Sequence, residues 1–323
     1  MNTRIIKNEK KRKEIEKKEK KRKKKVHGKI IKKIFLVIFL TFSICLLYAR
    51  FIEPNMLFVN EYKLESKTID NAYHGLKIVH FSDLHYGSTI TSKNIDKIIK
   101  KINELKPDLV FFTGDLIEQD YNVSNKDIEI LTKSLKKINT NLGKYAIIGN
   151  HDYNEKNFKN ILNNAEFKIL NNDYDLIYYK SNIPISVYGI DDYLYGTPSL
   201  EKYNDNEFLS SSYKILLLHE GDYIEKIKDN SFYNFDLILG GHSHNMQVSI
   251  PFVKSFFLPD GCQNYYSSYY KVNNSDIYIS NGIGTSTLKL RFLSPPSINF
   301  YRITKIDSFK KLTIYFFSYK MRL

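Results

Sequence analysis

Hydrophobic and polar positions follow three different patterns along this chain. Residues 1–33 are dominated by charged side chains, residues 34–49 form an uncharged apolar run, and short apolar runs alternate with amphipathic stretches from Leu76 onward. Short β-branched and aromatic runs indicate strands, whereas apolar residues repeated every three or four positions indicate helices. The pattern therefore predicts a layered α/β fold that begins strand, helix, strand, helix, strand. The predicted strands are residues 76–82, 108–113, 144–148, 185–190, 213–218, 235–239, 277–280 and 298–304, and the predicted helices are residues 95–105 and 127–138.

The apolar run is a candidate membrane anchor. Its sixteen uncharged residues fall slightly short of the roughly 20 that a bilayer core needs, but neighbouring Ile and Phe residues extend it if the flanking Lys and Arg side chains reach the interface. A cleaved signal peptide and a buried core helix are the alternatives. The long charged region before the run and the lack of a convincing cleavage site favour a retained anchor. We therefore predict a basic tail at residues 1–33, a transmembrane signal anchor at 34–52, a linker at 53–71 and a folded domain at 72–323.

Positive charge is concentrated before the apolar run. The chain carries a formal charge of +14 at pH 7, and residues 1–33 hold seventeen Lys and Arg against four Glu, which leaves the remainder at +1. A tail of this composition is typical of a disordered, solvated segment. The nearly neutral remainder argues against a nucleic-acid partner and against a nuclease. Because positive charge favours the cytoplasmic side of a membrane segment, we expect a single-pass protein of the cell membrane whose large domain is extracytoplasmic.

Five polar clusters follow predicted strands at the points where those strands end. In open α/β sheets, ligands bind outside the carboxyl ends of the strands, so these clusters are expected to converge on one crevice. A single His or Asp at a strand end is usually a surface or capping group, and only the combination favours a site. The clusters contain Asp83 and His85, Asp115, the run Asn150, His151 and Asp152, then His219, and finally His242 and His244.

The donor atoms of these clusters predict a metal centre. Asp83 and His85 are two residues apart just after a strand, as are His242 and His244, so each pair projects to one side and can chelate one ion. Asp115 follows a glycine and carries two carboxylate oxygens, with which it can bridge two ions. Nitrogen and oxygen donors with four His among them favour Zn, Mn or Fe over Mg or Ca.

The expected chemistry is hydrolysis of a phosphoester. Two ions about 3.5–4 Å apart clamp a phosphate and lower the pKa of a bridging water enough to supply hydroxide near neutral pH. His151 lies beside the predicted ligand Asn150 and is expected to act as a general acid, with Asp152 orienting its ring. His80 lies inside a predicted strand and is expected to be a packed core histidine.

The five clusters, in this order, resemble the signature of calcineurin-like metallophosphoesterases: Asp83-Leu84-His85, Gly114-Asp115, Gly149-Asn150-His151-Asp152, His219 and Gly241-His242-Ser243-His244. The resemblance implies a four-layer α/β/β/α sandwich preceded by one transmembrane helix. It also implies His151 as the catalytic acid and two metal sites that share one carboxylate. The first site comprises Asp83, His85, Asp115 and His244, and the second comprises Asp115, Asn150, His219 and His242.

The juxtamembrane residues 50–54, the later residues 281–286, and the pairs Arg291-Phe292 and Pro295-Pro296 resemble the bacterial membrane-associated, phosphodiesterase-like branch of that family. After His244, however, the chain has Asn245-Met246, where that branch usually has two glycines, so the loop beyond the site is expected to be altered. Arg291 is either a contact for substrate phosphate or an ordinary surface residue. With a membrane anchor close by, lipid-linked or cell-envelope phosphodiesters or pyrophosphates are the expected substrates. A membrane-displayed module that binds metal or phosphate without turnover is the alternative, and a nuclease is a further one.

Overall fold

The computed structural model describes residues 2–230, 233–250 and 258–306, and the chain forms two compact units, Met1–Ala49 and Arg50–Leu323. The strands are β1 (Phe58–Ser66), β2 (Leu76–Phe81), β3 (Leu109–Phe112), β4 (Gly143–Ala146), β5 (Lys168–Ile169), β6 (Asp173–Ile177), β7 (Ile185–Gly189), β8 (Tyr213–Leu217), β9 (Leu237–Gly240), β10 (Tyr269–Val272), β11 (Ser275–Ile279) and β12 (Ser297–Lys305). The α-helices are α1 (Asn2–Leu47), α2 (Ile95–Glu104), α3 (Asn125–Lys136), α4 (Phe158–Asn164), α5 (Asn206–Leu209) and α6 (Ile224–Ile227).

The first unit consists of the basic arm and the apolar run, which lie in helix α1 as far as Leu47 and end in the π-helical turn Tyr48–Ile52. The arm is therefore helical rather than disordered, which corrects the expectation from composition. Lys, Arg and Glu are good helix formers, and Glu14 pairs with Lys18 one turn later, with Oε1 and Nζ 3.2 Å apart. The helix is long and apolar enough to cross a membrane by length and composition, a test that signal sequences also pass.

The second unit contains two six-stranded sheets. The first has the order β1-β12-β2-β3-β4-β5, in which β2 to β5 run parallel and β12 is antiparallel to β2. The second has the order β10-β11-β9-β8-β7-β6, with parallel neighbours from β11 to β7 and antiparallel strands at both edges. The carboxyl ends of the parallel strands therefore supply two rows of loops for a site.

Side chains alternate between the two faces of each sheet and build three cores. Ile78 and Phe111 of the first sheet pack with Val187 and Leu217 of the second in the core between the sheets. On the outer face of the first sheet, strands β2 and β3 pack against helices α2, α3 and α4. On the outer face of the second sheet, strands β7 to β9 pack against helices α5 and α6. The four layers α/β/β/α confirm the predicted fold class.

The predicted linker at residues 53–71 is wrong for its central part. Strand β1, Phe58–Ser66, pairs in parallel with β12 along its whole length and forms an edge of the first sheet. Its side chains are mostly exposed or half-buried, so its hydrophobic pattern is weak, as expected for an edge strand. Strands β5, β6 and β10 and the short helices α4 to α6 were also not predicted, whereas helices α2 and α3 lie within two residues of their predicted bounds.

Candidate metal centre

Seven nitrogen- and oxygen-bearing side chains converge where strands of both sheets end. All of them except the half-buried Asn150 are buried, and each comes from a loop that directly follows a parallel strand. Burial of this many polar groups is costly unless they pair with one another or bind a cation. They are Asp83 and His85 after β2, Asp115 after β3, Asn150 after β4, His219 after β8, and His242 and His244 after β9.

The first group of donors surrounds His85. Its Nε2 atom lies 3.0 Å from His244 Nε2 and 3.5 Å from Asp115 Oδ2. Asp83 Oδ1 lies 3.5 Å from His244 Nε2 and 3.9 Å from His85 Nε2. One donor atom from each of Asp83, His85 and His244 therefore falls within 4.8 Å of the other two, which is close enough for a shared ion.

The second group surrounds the Asn150 amide oxygen. His219 Nε2 lies 3.1 Å from Asn150 Oδ1, and His242 Nδ1 lies 3.0 Å from the same atom. Asp115 Oδ2 lies 3.3 Å from His219 Nε2, so the oxygen that faces His85 in the first group also faces the second. A carboxylate in this position can bridge two ions.

Backbone carbonyls fix which ring nitrogen is free on two of the histidines. His219 Nδ1 lies 2.6 Å from the Thr113 carbonyl oxygen, and His242 Nε2 lies 2.8 Å from that of Asp260. A carbonyl can only accept, so each of these ring nitrogens carries the proton and donates. The opposite nitrogens, His219 Nε2 and His242 Nδ1, face Asn150 and are the ring atoms placed to bind a metal.

His244 has a donor on its outer side instead. Arg291 Nη2 lies 3.1 Å from His244 Nδ1 and also donates to the Gly284 carbonyl, while Arg291 Nη1 donates to the Ser294 carbonyl at 2.9 Å. A guanidinium has no acceptor, so His244 Nδ1 accepts and the neutral ring carries its proton on Nε2, facing His85. A cation at His244 Nε2 would require this proton on Nδ1 instead, and therefore a shift of the Arg291 contact.

Arg291 is fully buried, which corrects both alternatives for this residue. It is neither a surface side chain nor one of the residues that line the cavity beside the site. Burial lowers the pKa of Arg291 to about 10, so the side chain remains charged at neutral pH and serves to hold the His244 loop.

The electrostatics of the cluster suit a cation. Burial alone would lower the pKa of His219, but the Asp115 carboxylate raises it well above its ordinary value. Burial would likewise raise the pKa of Asp115, but His219 lowers it well below its usual range. Burial lowers the pKa of His242 to about 3 and that of His244 well below its ordinary value. Both imidazoles are therefore neutral, which is the charge state that a metal ligand requires.

Two glycines allow the close approach of the loops. A Cβ atom on Gly149 would lie 2.5 Å from Asp115 Oδ1 and 2.9 Å from His219 Cε1. A Cβ on Gly114, whose φ is +91°, would lie 2.7 Å from the Gly149 backbone. Neither space admits a side chain, so the Gly-Asp and Gly-Asn pairs are required by the geometry of the centre.

His151 lies next to the first group of donors. Its ring centroid is 4.7 Å from that of His85, edge to face, and it lines the cavity beside the site. His151 Nδ1 accepts a hydrogen bond from the Gln119 N–H at 3.2 Å. This contact leaves Nε2 as the other ring nitrogen for a role in proton transfer.

Asp152 does not orient the His151 ring, which corrects that prediction. Its buried carboxylate accepts hydrogen bonds from three backbone N–H groups and so holds the Asp115 turn against the Asn150 turn. Strand-end spacing could not reveal this role because it depends on how two loops pack. The three donors are Asp115 N at 2.7 Å, Leu116 N at 2.8 Å and Gly149 N at 3.1 Å.

Glu118 is the carboxylate beside the His151 ring, and it was not predicted. Its Oε1 lies 3.5 Å from His151 Nδ1, and its Oε2 lies 3.1 Å from His85 Nδ1. Burial would raise the pKa of Glu118, but His85 lowers it, so the side chain is charged. The only sequence signal was its position three residues after Asp115, in a loop without a recognisable motif.

A cavity of about 380 Å³ opens beside the donors. Its volume falls in the range of small-molecule sites, roughly 300–1,000 Å³. Most of the metal-site residues and His151 line it, together with a group of apolar side chains. The apolar lining residues are Met246, Val248, Ile250, Pro259 and Leu288.

A two-sheet sandwich with His and Asp donors gathered at its strand ends defines a metallophosphoesterase. The chain belongs to the calcineurin-like phosphoesterase family, whose pattern matches residues 76–246. The matched range includes all seven donors, and the family resemblance predicted from the sequence is confirmed. The protein is therefore a hydrolase that acts on phosphoester bonds.

Several known proteins are similar to this chain. The uncharacterized metallophosphoesterase YkuE of Bacillus subtilis is 33% identical over 263 residues, covering 79% of this chain and 88% of the relative. The UDP-2,3-diacylglucosamine pyrophosphatase LpxG of Chlamydia muridarum is 26% identical and covers 78% of this chain and 91% of the relative. Among solved structures, the calcineurin-like phosphoesterase YfkN of B. subtilis is 15% identical with a TM-score of 0.42, covering 65% of this chain and 82% of that one.

Proposed function

We propose that this chain is a membrane-anchored phosphoester hydrolase that uses two divalent metal ions. The shared carboxylate carries the proposal, because Asp115 Oδ2 lies 3.5 Å from His85 Nε2 and 3.3 Å from His219 Nε2, between the two groups of donors. Each group then offers four ligands when Asp115 is counted in both. One ion is assigned to Asp83, His85, Asp115 and His244, and the other to Asp115, Asn150, His219 and His242.

The donor set suits Mn, Zn or Fe, because imidazole nitrogens and carboxylate oxygens occur together. When bound, two such ions supply Lewis-acid polarisation of the phosphoester and a nucleophile derived from water. The protein residues orient the donors: Thr113 and Asp260 fix the ring tautomers of His219 and His242 through their carbonyls. Glu118 supports His85 from its outer side.

His151 supplies the proton for the leaving group. Its Nδ1 accepts from the Gln119 N–H, which leaves Nε2 as the ring nitrogen for the leaving group, and the side chain lines the cavity. A positioned general acid contributes typically about 10²–10⁴-fold to rate. The backbone N–H of His151 also donates to Asp115 Oδ1 at 2.9 Å, so the acid and the bridging carboxylate are held in one turn.

The anchor is assigned to residues 34–52, with the basic tail in the cytoplasm and the hydrolase domain outside. The apolar part of helix α1 supports a single span by length and composition, and the charge before it supports the orientation. Protease added to intact cells should remove the domain and leave residues 1–33 protected. Complete protection of the domain would contradict the orientation.

Lipid-linked or cell-envelope phosphoesters are the proposed substrates. An anchored domain acts most readily on substrates held in or near the same membrane. The similarity to LpxG supports this assignment, because the name of that relative specifies a diacylated nucleotide sugar. No nucleic-acid partner is expected, since the chain outside the basic tail is nearly neutral.

The enzyme assignment is tested with full-length protein in lipid nanodiscs, using bis-p-nitrophenyl phosphate and added Mn²⁺. Asp115→Asn removes the bridging charge and should lower both Mn²⁺ affinity and kcat. His151→Gln should lower kcat by about 10²–10⁴-fold while retaining Mn²⁺ affinity. Asp120→Asn and His74→Gln are matched controls, because both side chains are exposed, and they should behave as the wild type.

The non-catalytic alternative makes the opposite prediction. A binding module would take up Mn²⁺ with an affinity that depends on Asp115, yet the wild type and both site variants would be equally inert with Mn²⁺, Zn²⁺ and Fe²⁺. That result would refute the enzyme assignment while leaving the metal site in place.

A further inference from the structure

The cavity beside the donors has apolar as well as polar lining. Met246 and Val248, which follow His244 in the sequence, line it together with Ile250 and Leu288. Ile250 and Leu288 are 50% and 56% exposed. Exposed aliphatic side chains are ordinary when scattered singly, but apolar side chains grouped along a site bind apolar groups. A phosphoester made only of charged and polar groups would leave this surface unused.

The apolar side of the cavity is built by hydrogen bonds between two loops. Gln247 Nε2 donates to the Leu288 carbonyl at 2.7 Å, and its Oε1 accepts from the Ser286 N–H at 3.0 Å. The Ser249 N–H donates to the Phe292 carbonyl at 2.8 Å. The amide of one side chain therefore holds the Leu288 loop beside the His244 loop, and the apolar residues have fixed positions next to the donors.

The same loops are attached to the first residues of the folded unit. Glu53 is fully buried, and its carboxylate accepts hydrogen bonds from the Leu293 N–H at 3.0 Å and from the Ser294 N–H at 2.6 Å. Ser294 Oγ in turn donates to the His244 carbonyl at 3.0 Å. Glu53 lies four residues after Ala49, the last residue of the apolar run. The loops beside the cavity are thus bonded to the segment that directly follows the proposed anchor.

We propose that Met246, Val248, Ile250 and Leu288 form a binding surface for an aliphatic chain on the substrate, next to the phosphoester. The inference rests on the proposed function and deepens it, because it assigns the apolar part of a lipid-linked substrate to four named side chains. A fatty chain and an isoprenoid chain share this chemistry.

Chain-length dependence tests the surface. Full-length protein in nanodiscs with Mn²⁺ is assayed on p-nitrophenyl methyl, butyl and decyl phosphate diesters, each of which releases p-nitrophenolate and leaves the alkyl phosphate. Burial of one methylene is worth about fourfold in kcat/KM, so the butyl ester should exceed the methyl ester by up to about 60-fold. The p-nitrophenyl citronellyl diester has the same carbon number in the ester chain as the decyl diester, and it separates a branched isoprenoid from a straight chain.

Two variants should reduce this preference. Ile250→Ser and Leu288→Ser should each lower the butyl-to-methyl ratio of kcat/KM by about threefold or more, since each loses buried aliphatic contact. Ile183→Ser and Leu209→Ser are matched controls at other exposed aliphatic residues, 47% and 42% exposed, and should keep the wild-type ratio. Partitioning of each ester into the nanodisc is the same for every variant, so the ratio isolates the surface.

Calorimetric binding of butylphosphonate and methylphosphonate to the same proteins provides a readout without turnover. Tighter binding of butylphosphonate that is weakened by Ile250→Ser supports the surface even if no ester is hydrolysed, in which case only the proposed function fails. Equal kcat/KM for methyl and butyl esters together with equal phosphonate binding overturns the surface and leaves the hydrolase intact. An unchanged butyl-to-methyl ratio in both Ile250→Ser and Leu288→Ser also overturns it, because these two side chains would then not contact the ester chain.

Discussion

Removing Glu118 tests whether the centre depends on a carboxylate that belongs to neither group of donors. The side chain is 15% exposed and lies between two rings, with Oε2 3.1 Å from His85 Nδ1 and Oε1 3.5 Å from His151 Nδ1. A carboxylate behind an imidazole ligand fixes the ring orientation and makes the free nitrogen more basic. Glu118→Ala removes both effects on His85 and also the charge beside the proposed acid.

The magnitude follows from that role. Loss of such an outer partner typically lowers metal affinity or activity by about 10–100-fold, which corresponds to about 1.4–2.7 kcal/mol. The loss in Glu118→Ala should be near the upper end of this range, because nothing replaces the acceptor on the outer side of His85. Glu118→Gln keeps an amide oxygen in a similar position but loses the charge, so its loss should be near the lower end of the range.

The assay combines Mn²⁺ affinity, measured by competition with a chelator, and hydrolysis of bis-p-nitrophenyl phosphate at saturating Mn²⁺. Glu104→Ala is the matched control, because Glu104 is an exposed helix residue whose carboxylate pairs only loosely with Lys101, at 3.6 Å. Loss of an outer partner should change these values by far more than about twofold. If the Mn²⁺ affinity and the turnover of Glu118→Ala both stay within about twofold of the wild type, the support assigned to this carboxylate is wrong.

Two further predictions concern stability and are checked by urea unfolding of the fragment that begins at Arg50. Burial lowers the pKa of His80 to about 3, below its ordinary value of about 6.5, so the unfolded state binds the extra proton between these values and stability falls as pH drops. Between pH 6.5 and 5 this residue should lower the free energy of unfolding by about 2 kcal/mol. A His80→Gln variant whose stability has the same pH dependence as the wild type would contradict this prediction. Asp152→Ala leaves three backbone N–H groups without an acceptor and should lower the free energy of unfolding by about 3 kcal/mol or more. Asp152→Asn retains one acceptor oxygen and should lower it by less. Equal unfolding midpoints for the two variants would contradict the reasoning.

The fold was predictable because the central strands are buried on both faces. Leu109–Phe112 reads as a continuous apolar run since alternate side chains enter different cores, and such runs are typical of parallel sheets covered on both sides. His80, expected in the core, is fully buried between the sheets and lies 2.9 Å from Thr113 Oγ1 through its Nε2. Edge strand β1 carried no comparable signal, because a strand with one free edge tolerates polar residues along its length.

The donors were predictable from their positions at strand ends, but the residues that support them were not. Glu118, Arg291 and Glu53 all act on the centre through contacts between loops that are distant in the sequence. Arg291 reaches His244 across 47 positions, and Glu53 reaches Ser294 across 241. A charged residue in a loop has no periodicity that reports its burial, so only the packing of the loops reveals which charges face inward.

The backbone of the donor loops carries strain that the buried side chains must offset. Asp83, His85, Asp115, His242 and His244 all have left-handed φ values, between 42° and 66°. For residues with a Cβ this conformation costs roughly 1–2 kcal/mol each, and it persists only where surrounding contacts impose it. Two of these contacts are hydrogen bonds to the carboxylates of the donor loops. The His242 N–H donates to Asp83 Oδ1 at 3.0 Å, and the His151 N–H donates to Asp115 Oδ1. The left-handed run continues from His244 through Asn245, Met246 and Gln247, and the family resemblance implied glycines at positions 245 and 246. This loop contributes the donor His244 to the centre and Met246 to the lining of the cavity. The chain therefore tolerates backbone strain in this loop, as expected if the side chain at position 246 contributes to substrate binding.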